Sequence, residues 1–364
     1  VALGVESSNY VMIMDTLMDS SSLFLTGNTD TVYASGVLDL KKDGPTVVEI
    51  PAGSGPGTVN DAFFRFVTDM GGVGPDRGKG GTYLILPPDY TGDLKYKEGS
   101  ETVEMEIGGV KKTVFVSKSP SYTNWLILRG FLVNGKPDAA SKMFRDGLKI
   151  YPLAQAKNPP KMHFINGSGK FFNTIHANDY HFYQEIDDVI QREHIDFINP
   201  EIRGLLSSIG IQKGKAFAPD ARMKRILTDA MAIGNATARA ISFPTRMEDA
   251  YLYEGRYWKK AFIGGDYRWL IDGGNGGINL DARTYFFYLA TVNTPAMALK
   301  MIGKGSQYTL GDRDKEGNFL FGEKTYKLNI PANVPARAGS YYCVCMAHLS
   351  HGSIRLGDQV ILSY

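Results

Sequence analysis

At 364 residues, with 40 basic and 38 acidic side chains and a net charge of +2, the chain exceeds one ordinary domain. So even a balance argues against a nucleic-acid or polybasic membrane partner. The 43% hydrophobic content supports a sizeable core, yet apolar runs such as WLIL at 125–128 are far too short to cross a bilayer. Glycine (41 residues), tyrosine (20) and phenylalanine (19) favour turn-rich β architecture. The chain starts at Val1 without a methionine, which a removed signal peptide and a trimmed boundary explain equally well.

Residues 26–90 contain TGNTDTVYASGVLDL, GTVNDAFFRFVTDM and GKGGTYLILPPDY, which read as strands joined by glycine-rich turns. Further strands are expected at TVVEI (46–50) and VEMEI (103–107). Gly108-Gly109 then separates VEMEI from VKKTVFV, a two-residue hairpin signal, with Glu104 and Glu106 set to oppose Lys111 and Lys112. Residues 1–130 therefore form an expected β-sandwich or barrel.

Residues 131–245 change period. KPDAASKMFRDGLKI opens at Pro137 and carries Met143 and Leu148 at helical spacing. DYHFYQEIDDVIQRE puts Phe182, Ile186, Val189 and Ile190 on one face. PDARMKRILTDAMAIGNATARAIS does the same with Met223, Ile226, Leu227, Ala230 and Ile241, with Pro219 near its start. Such stripes are expected to be core. From 246 to 364 the pattern is mixed, with strands around Gly264-Gly265, a helix from near Asp281 and a hairpin around Glu316-Gly317-Asn318. The expected class is α+β, β-dominated.

The polar residues of the front half carry the functional expectations. Asn28 and Asp30 share a face by period two, with Tyr33 nearby, and can reach a ligand or hard cation; the same side chains equally suit an Asx-turn. Asp61 and Arg65 form either an ion pair or, through Arg65, an anion site. Arg129 lies inside the apolar strand WLILRGFLV and must find a partner or a pocket. His176 and His181 are five apart, wrong for a metal-binding helix face, while Asn178 or Asp179 suits a helix cap. His176, just outside that helix, serves as a weak candidate acid or base, or as a packing residue. Asp281 is expected to cap its helix.

Cys343 and Cys345, too few and too close for a disulfide framework, lie near His348 and His351 in a compact soft-ligand cluster for zinc or copper, although the spacing is unusual. No cofactor is expected: AGSGPGT lacks a lysine, DRGKGGT has Gly80 where a phosphate loop needs Ser or Thr, and no Gly-x-Ser-x-Gly elbow is present.

Three segments, NTDTVYASGVLDL, DAFFRFVTDMGGVGPDRGKGGTYLILPPDY and SPSYTNWLILRGFLV, resemble the domain of unknown function 1254. NLDARTYFFYLATVNTPAMALKMIGKGSQY and GEKTYKLNIPANVPA resemble its usual companion, the domain of unknown function 1214, and FINGSGKFFNTIHANDYHFY resembles the connector between them. The resemblance spans about residues 26–336. It implies a β-rich, jelly-roll-like and often exported protein, hence a periplasmic or secreted location. After about residue 336 the sequence RAGSYYCVCMAHLSHGSIRLGDQVILSY departs from that family, as a truncated or divergent tail would.

The first functional expectation is a homo-oligomeric pocket protein that binds, and as a further step hydrolyses, a small polar or carbohydrate-like ligand. Asn28, Asp30, Tyr33, Arg65, Arg129 and His176 would line that interdomain pocket. The alternative is a structural, capsid-like assembly module without chemistry, which would use the same polar groups as caps and ion pairs.

Overall fold

The computed structural model describes residues 7–18, 24–27, 31–94, 102–171, 173–299, 307–320, 340–344, 353–356 and 359–363, the last three segments by backbone. The chain divides into two compact units. The first comprises Val1–Leu17, Asp30–Ser168 and His176–Gly234, and the second Met18–Thr29, Gly169–Ile175 and Asn235–Tyr364.

In the first unit the strands and helices run β1 (Tyr10–Ile13), β2 (Thr31–Asp39), α1 (Leu40–Asp43), β3 (Thr46–Ile50), β4 (Ser54–Asp61), β5 (Phe66–Gly71), β6 (Gly81–Leu86), β7 (Thr102–Ile107), β8 (Val110–Lys118) and β9 (Thr123–Phe131). They continue with α2 (Asp138–Gly147), β10 (Lys149–Pro152), β11 (His163–Asn166), α3 (His181–Arg192), α4 (Pro200–Ser208) and α5 (Ala221–Ser242), the last continuing into the second unit's residues. One sheet has the order β11-β1-β2-β9-β4-β5 and the other β10-β3-β6-β8-β7. Pairings are antiparallel apart from β1 with β11 and β6 with β8.

The two sheets face each other across one apolar core. Val11, Val32, Ala34, Leu38, Val59, Leu126 and Leu128 enter it from the first sheet, and Val48, Ile50, Tyr83, Ile85 and Ile150 from the second. Alternation along each strand produces this layer, because side chains two apart share a face. Helix α2 adds Ala140 and Phe144 to the same core. It sits close to β9 because Gly130 has no Cβ, which would come within 2.7 Å of Ala140 Cβ and 3.0 Å of a Phe144 ring carbon. A second apolar layer of Val47, Leu84, Leu86, Val114 and Tyr151 lies on the other face of the five-stranded sheet.

The expected hairpin forms, with Ile107 opposite Val110 across Gly108-Gly109, both at positive φ. Its charge pairing differs from expectation. Glu106 opposes Lys111, but Lys112 opposes Met105 and its ammonium reaches Glu49 at 2.6 Å instead. Glu104 accepts a hydrogen bond from the hydroxyl of Thr113, its direct partner.

The helices depart from the expected buried stripes. No residue of α3 or α4 is buried, and Phe182, Ile186, Val189 and Ile190 are half-exposed. On α5, Leu227 and Met231 are buried but Ile226 and Ala230 are exposed. Helical spacing fixes which residues share a face and says nothing about how completely a neighbour covers it.

The second unit contains β12 (Trp258–Lys260), α6 (Leu280–Leu289), α7 (Pro295–Ala298), β13 (Gln307–Gly311), β14 (Ser340–Val344), β15 (Ser353–Leu356) and β16 (Gln359–Ser363). Its core gathers Phe262, Trp269, Tyr285, Phe286, Leu289 and Leu310. Asp281 sits in the first turn of α6 as expected, but the capping oxygen belongs to Asn279, which accepts from the Ala282 amide; Asp281 pairs with Arg246 at 3.0 Å. The expected turn at Glu316-Gly317-Asn318 is closed by Asp314, whose carboxylate accepts from the amides of Glu316 and Asn318. No helix among the described residues is long and apolar enough to cross a membrane.

Candidate functional site

Several of the expected site residues are ordered by structural partners. Tyr33 on β2 and Arg129 on β9 are directly opposed, so the sheet register does bring these two together. They lie on the face of the six-stranded sheet away from the shared core, where Thr58, Asn60 and Asp69 are also buried. The Arg129 Nε donates to the Pro56 carbonyl at 3.4 Å.

Arg65 is fixed by Asp61, which follows from their spacing around the tight turn after β4. Its Nε donates to Asp61 Oδ2 at 2.6 Å and its Nη2 to the Phe197 carbonyl at 2.9 Å, with the rings of Phe63 and Phe197 flanking the guanidinium. Asp61 also accepts from the amides of Phe63 and Arg65. Burial pushes the Asp61 carboxyl above its usual range, outweighing the pull of the Arg65 charge and of these hydrogen bonds. His176 Nδ1 lies 3.0 Å from the Ala177 carbonyl oxygen, and its ring meets Phe182 edge-on.

Asn28 and Asp30 lie outside the described residues, as do Cys345, His348 and His351. Cys343 is placed by its backbone, in β14 opposite Leu310. Among the described residues no group of three or more histidine, cysteine or acidic side chains is arranged to hold a metal ion.

The first unit instead carries a hollow that none of the expected residues lines. It is a groove of about 300 Å³ between the end of α3, the turn after it, α4 and residues 211–213. Ile190, Phe197, Ile198, Leu206 and Ile211 form apolar walls, while Glu193, Arg203 and Lys213 bring charge to them. The connection to the sandwich is made by Glu193, whose buried carboxylate accepts from the amides of Tyr122 and Thr123 at the start of β9. Arg65 supports the same wall from outside through the Phe197 carbonyl.

Local chemistry explains the shape of the groove. Asn199 caps α4 by accepting from the Ile202 amide, and Pro200 occupies the first turn, so α4 starts sharply after the 195–197 turn. On the opposite side, the Gln191 side chain staples the 212–215 loop: its Nε2 donates to the carbonyls of Gln212 and Lys215, and its Oε1 accepts from the Gly214 amide. That staple sets Lys213 over the end of α3, where its Nζ donates to the carbonyls of Ile190 at 3.2 Å and Gln191 at 2.8 Å. Burial holds the Lys213 ammonium below its ordinary pKa, the positive charge of Lys41 lowers it further, and Glu193 partly opposes both.

A second hollow of about 400 Å³, wide open to solvent, lies on the same helix end and is lined by Asp39, Lys41, Lys42, Asp188, Gln191 and Arg192. Arg192 pairs with Asp39 at 2.7 Å and donates to the Thr123 hydroxyl. Lys41 Nζ donates to the Arg192 carbonyl at 3.1 Å. These residues escaped sequence reading because each looks like an ordinary surface charge. Of the groove's lining, sequence reading singled out only Ile190, which helical spacing assigned to core.

Residues 8–152 match a family model. The family is described as a protein of unknown function, DUF1254, and the matched span corresponds to the sandwich through β10. Among solved structures, the VPA0106 protein from Vibrio parahaemolyticus is similar at 17% identity and a TM-score of 0.48, over 75% of this chain. The chain spans 59% of that protein's length. No curated protein matches the chain.

Proposed function

We propose that the first unit is a small-molecule binding module whose site is the groove between α3 and α4, and that its ligand has an apolar body. The observation that supports this most is a hollow of about 300 Å³ with continuous aliphatic and aromatic walls and only a few charged groups at its margin. That combination is the usual build of a ligand pocket, in which apolar walls give affinity and few polar groups give orientation. The expectation of a small ligand is kept; its interior is read as apolar rather than sugar-like.

Binding, rather than hydrolysis, is the reading these groups favour. His194 Nδ1 accepts from the Asp196 amide, Glu193 is held by two backbone amides, and Lys213 is turned onto carbonyls. A positioned acid or base needs reach to a substrate proton; His194 Nδ1 and the Glu193 carboxylate are engaged by backbone amides, and Lys213 is anchored on the helix end by part of its ammonium. Export and homo-oligomer assembly stay part of the proposal, as does kinship of about residues 280–336 to the domain of unknown function 1214; the family resemblance supports them.

The test is calorimetric titration with octanol as an uncharged probe, on the parent protein and on Leu206→Trp, which fills the groove from the half-buried wall of α4. The expected result is saturable one-site binding that the tryptophan abolishes while the melting temperature holds. Binding that survives Leu206→Trp, or no binding together with concentration-dependent assembly, overturns the proposal, and the second outcome favours the assembly reading.

A further inference from the structure

We infer that the ligand of this groove is a carboxylic acid, its single negative charge received by the lysines gathered at the C-terminal end of α3. This rests on the groove being the binding site and adds the chemical class of the head group.

Residues 190–193 alternate between the two hollows: Ile190 and Glu193 line the groove, Gln191 and Arg192 line the open cleft. The two spaces therefore meet across one helix end. Its last carbonyls are occupied by two lysines from different parts of the chain, Lys213 on those of residues 190 and 191 and Lys41 on that of residue 192. Carbonyls at a helix C-terminus attract cations, and that accounts for one or two of the three N–H bonds on each ammonium. The remaining N–H bonds are available to a ligand, and the mutual repulsion of the two ammoniums is what an anion between them would relieve.

Charge balance decides how large that anion is. The cations lining the two hollows are Lys41, Lys42, Arg192, Arg203 and Lys213, and the acids are Asp39, Asp188 and Glu193. Arg192 is matched by Asp39 at 2.7 Å, and Arg203 by Asp196, which lies outside both hollows, at 3.8 Å. Asp188 and Glu193 then offset two of the three lysines, leaving one positive charge. A monoanion completes the site; a phosphate monoester would overcharge it, and a cation would be repelled. An apolar body joined to one negative charge at the groove's mouth is an aliphatic or aryl carboxylate. Arg65, already bonded to Asp61 and Phe197, is the alternative anion receptor in this unit, but its guanidinium stands behind the wall rather than at the mouth.

Octanoate, octyl phosphate and octanol are titrated against the intact protein, at low and at physiological salt. Octanoate is expected to bind about tenfold tighter than octanol at low salt, with the advantage shrinking as salt screens it. Lys213→Gln is expected to remove that advantage, read as the ratio of octanoate to octanol affinity within the same variant, and Lys213→Arg to keep it; the octanol arm reports on whether the groove itself is intact. Equal binding of octanoate and octanol overturns the inference while leaving the groove proposal standing, and so does a preference for octyl phosphate. Loss of selectivity for Lys213→Gln that Lys213→Arg fails to rescue also counts against it. Octanoate binding that Leu206→Trp leaves untouched removes the inference and the groove proposal together.

Discussion

The sandwich and the helical arm that follows it start from the same kind of apolar side chain and use it differently. In the sandwich, Val32, Leu38, Val48, Ile85, Leu126 and Phe144 are sealed between two sheets and α2. In the arm, α3 and α4 have no buried residue, and Leu205 stays 65% exposed. Where two sheets face one another, each covers the other completely; two short helices and a turn cover each other only in part. The groove is the part that is left, so the region least able to bury its own surface is where a ligand has something to gain.

The sharpest way to break this contrast is to cut a side chain of the same kind in each region. Phe144→Ala removes a fully buried ring and leaves a cavity between α2 and β9, with an expected cost of about 3–5 kcal/mol. Leu206→Ala, on a groove wall already open to solvent, is expected to cost less than about 1 kcal/mol. Urea unfolding of both variants measures the difference. Comparable losses would mean that the arm is packed as tightly as the sandwich, and the groove would lose its basis.

The next effect in size tests whether the sandwich depends on polar as well as apolar closure. Gly71 adopts a positive φ of 70°, and a Cβ there would lie 2.0 Å from the Gly55 carbonyl oxygen, so the turn after β5 can only be glycine. Asp76, which is buried, locks that turn by accepting from the amides of Gly71 at 2.7 Å and Gly78 at 3.1 Å and from the Tyr83 hydroxyl. Burial, followed by this carboxylate, pushes the Tyr83 hydroxyl far above its ordinary pKa, so it stays a donor at any physiological pH. Asp76→Ala strands three donors at once, and the expected loss is about 3 kcal/mol in thermal or urea unfolding. A loss below that of Leu206→Ala would show that the turn holds without its carboxylate.

The same contrast explains what could be read beforehand. Strand alternation and the Gly108-Gly109 turn are local signals, and period two has only two faces to assign; this is why the sandwich and its hairpin were legible. The ion-pair partner of Lys112 was not, because Glu49 arrives from β3, two strands across the sheet and more than sixty residues away in the chain. The opposition of Tyr33 and Arg129 is likewise a matter of register between β2 and β9. In the arm, the spacing of Phe182, Ile186, Val189 and Ile190 correctly gave a helix with one apolar face. How the 212–215 loop docks on the end of that helix depends on the Gln191 and Lys213 side chains, which no pattern announces. Lys213 and Lys41 become a pair because the 212–215 loop and α1 meet at one helix end, which sequence distance conceals.

The smallest effect separates the two regions by their response to acid. Asp15, just after β1, is tied to α2 through Arg145 at 2.6 Å and the Ser141 hydroxyl. Partial burial works against its charged form, but those hydrogen bonds and the Arg145 charge outweigh it and hold the carboxyl below its ordinary value of 3.8. Its contribution is therefore complete above about pH 4 and is lost as pH falls through the depressed folded value. On α3, His181 goes the other way. Its hydrogen bond with Gln184, aided by the charges of Glu185 and Asp179 against slight desolvation, raises it above 6.5. That contribution is present below pH 6.5 and is lost as pH rises through the raised value. Hydrogen exchange, corrected for intrinsic rates, should then show the β1–α2 anchor loosening as pH falls below about 4, while α3 is better protected at pH 5.5 than at pH 8. Both are exposed enough that the shifts will be modest. Parallel loss of protection in the two segments as pH falls would mean that one cooperative transition governs both, and the arm could not be treated as a separate, partly covered layer.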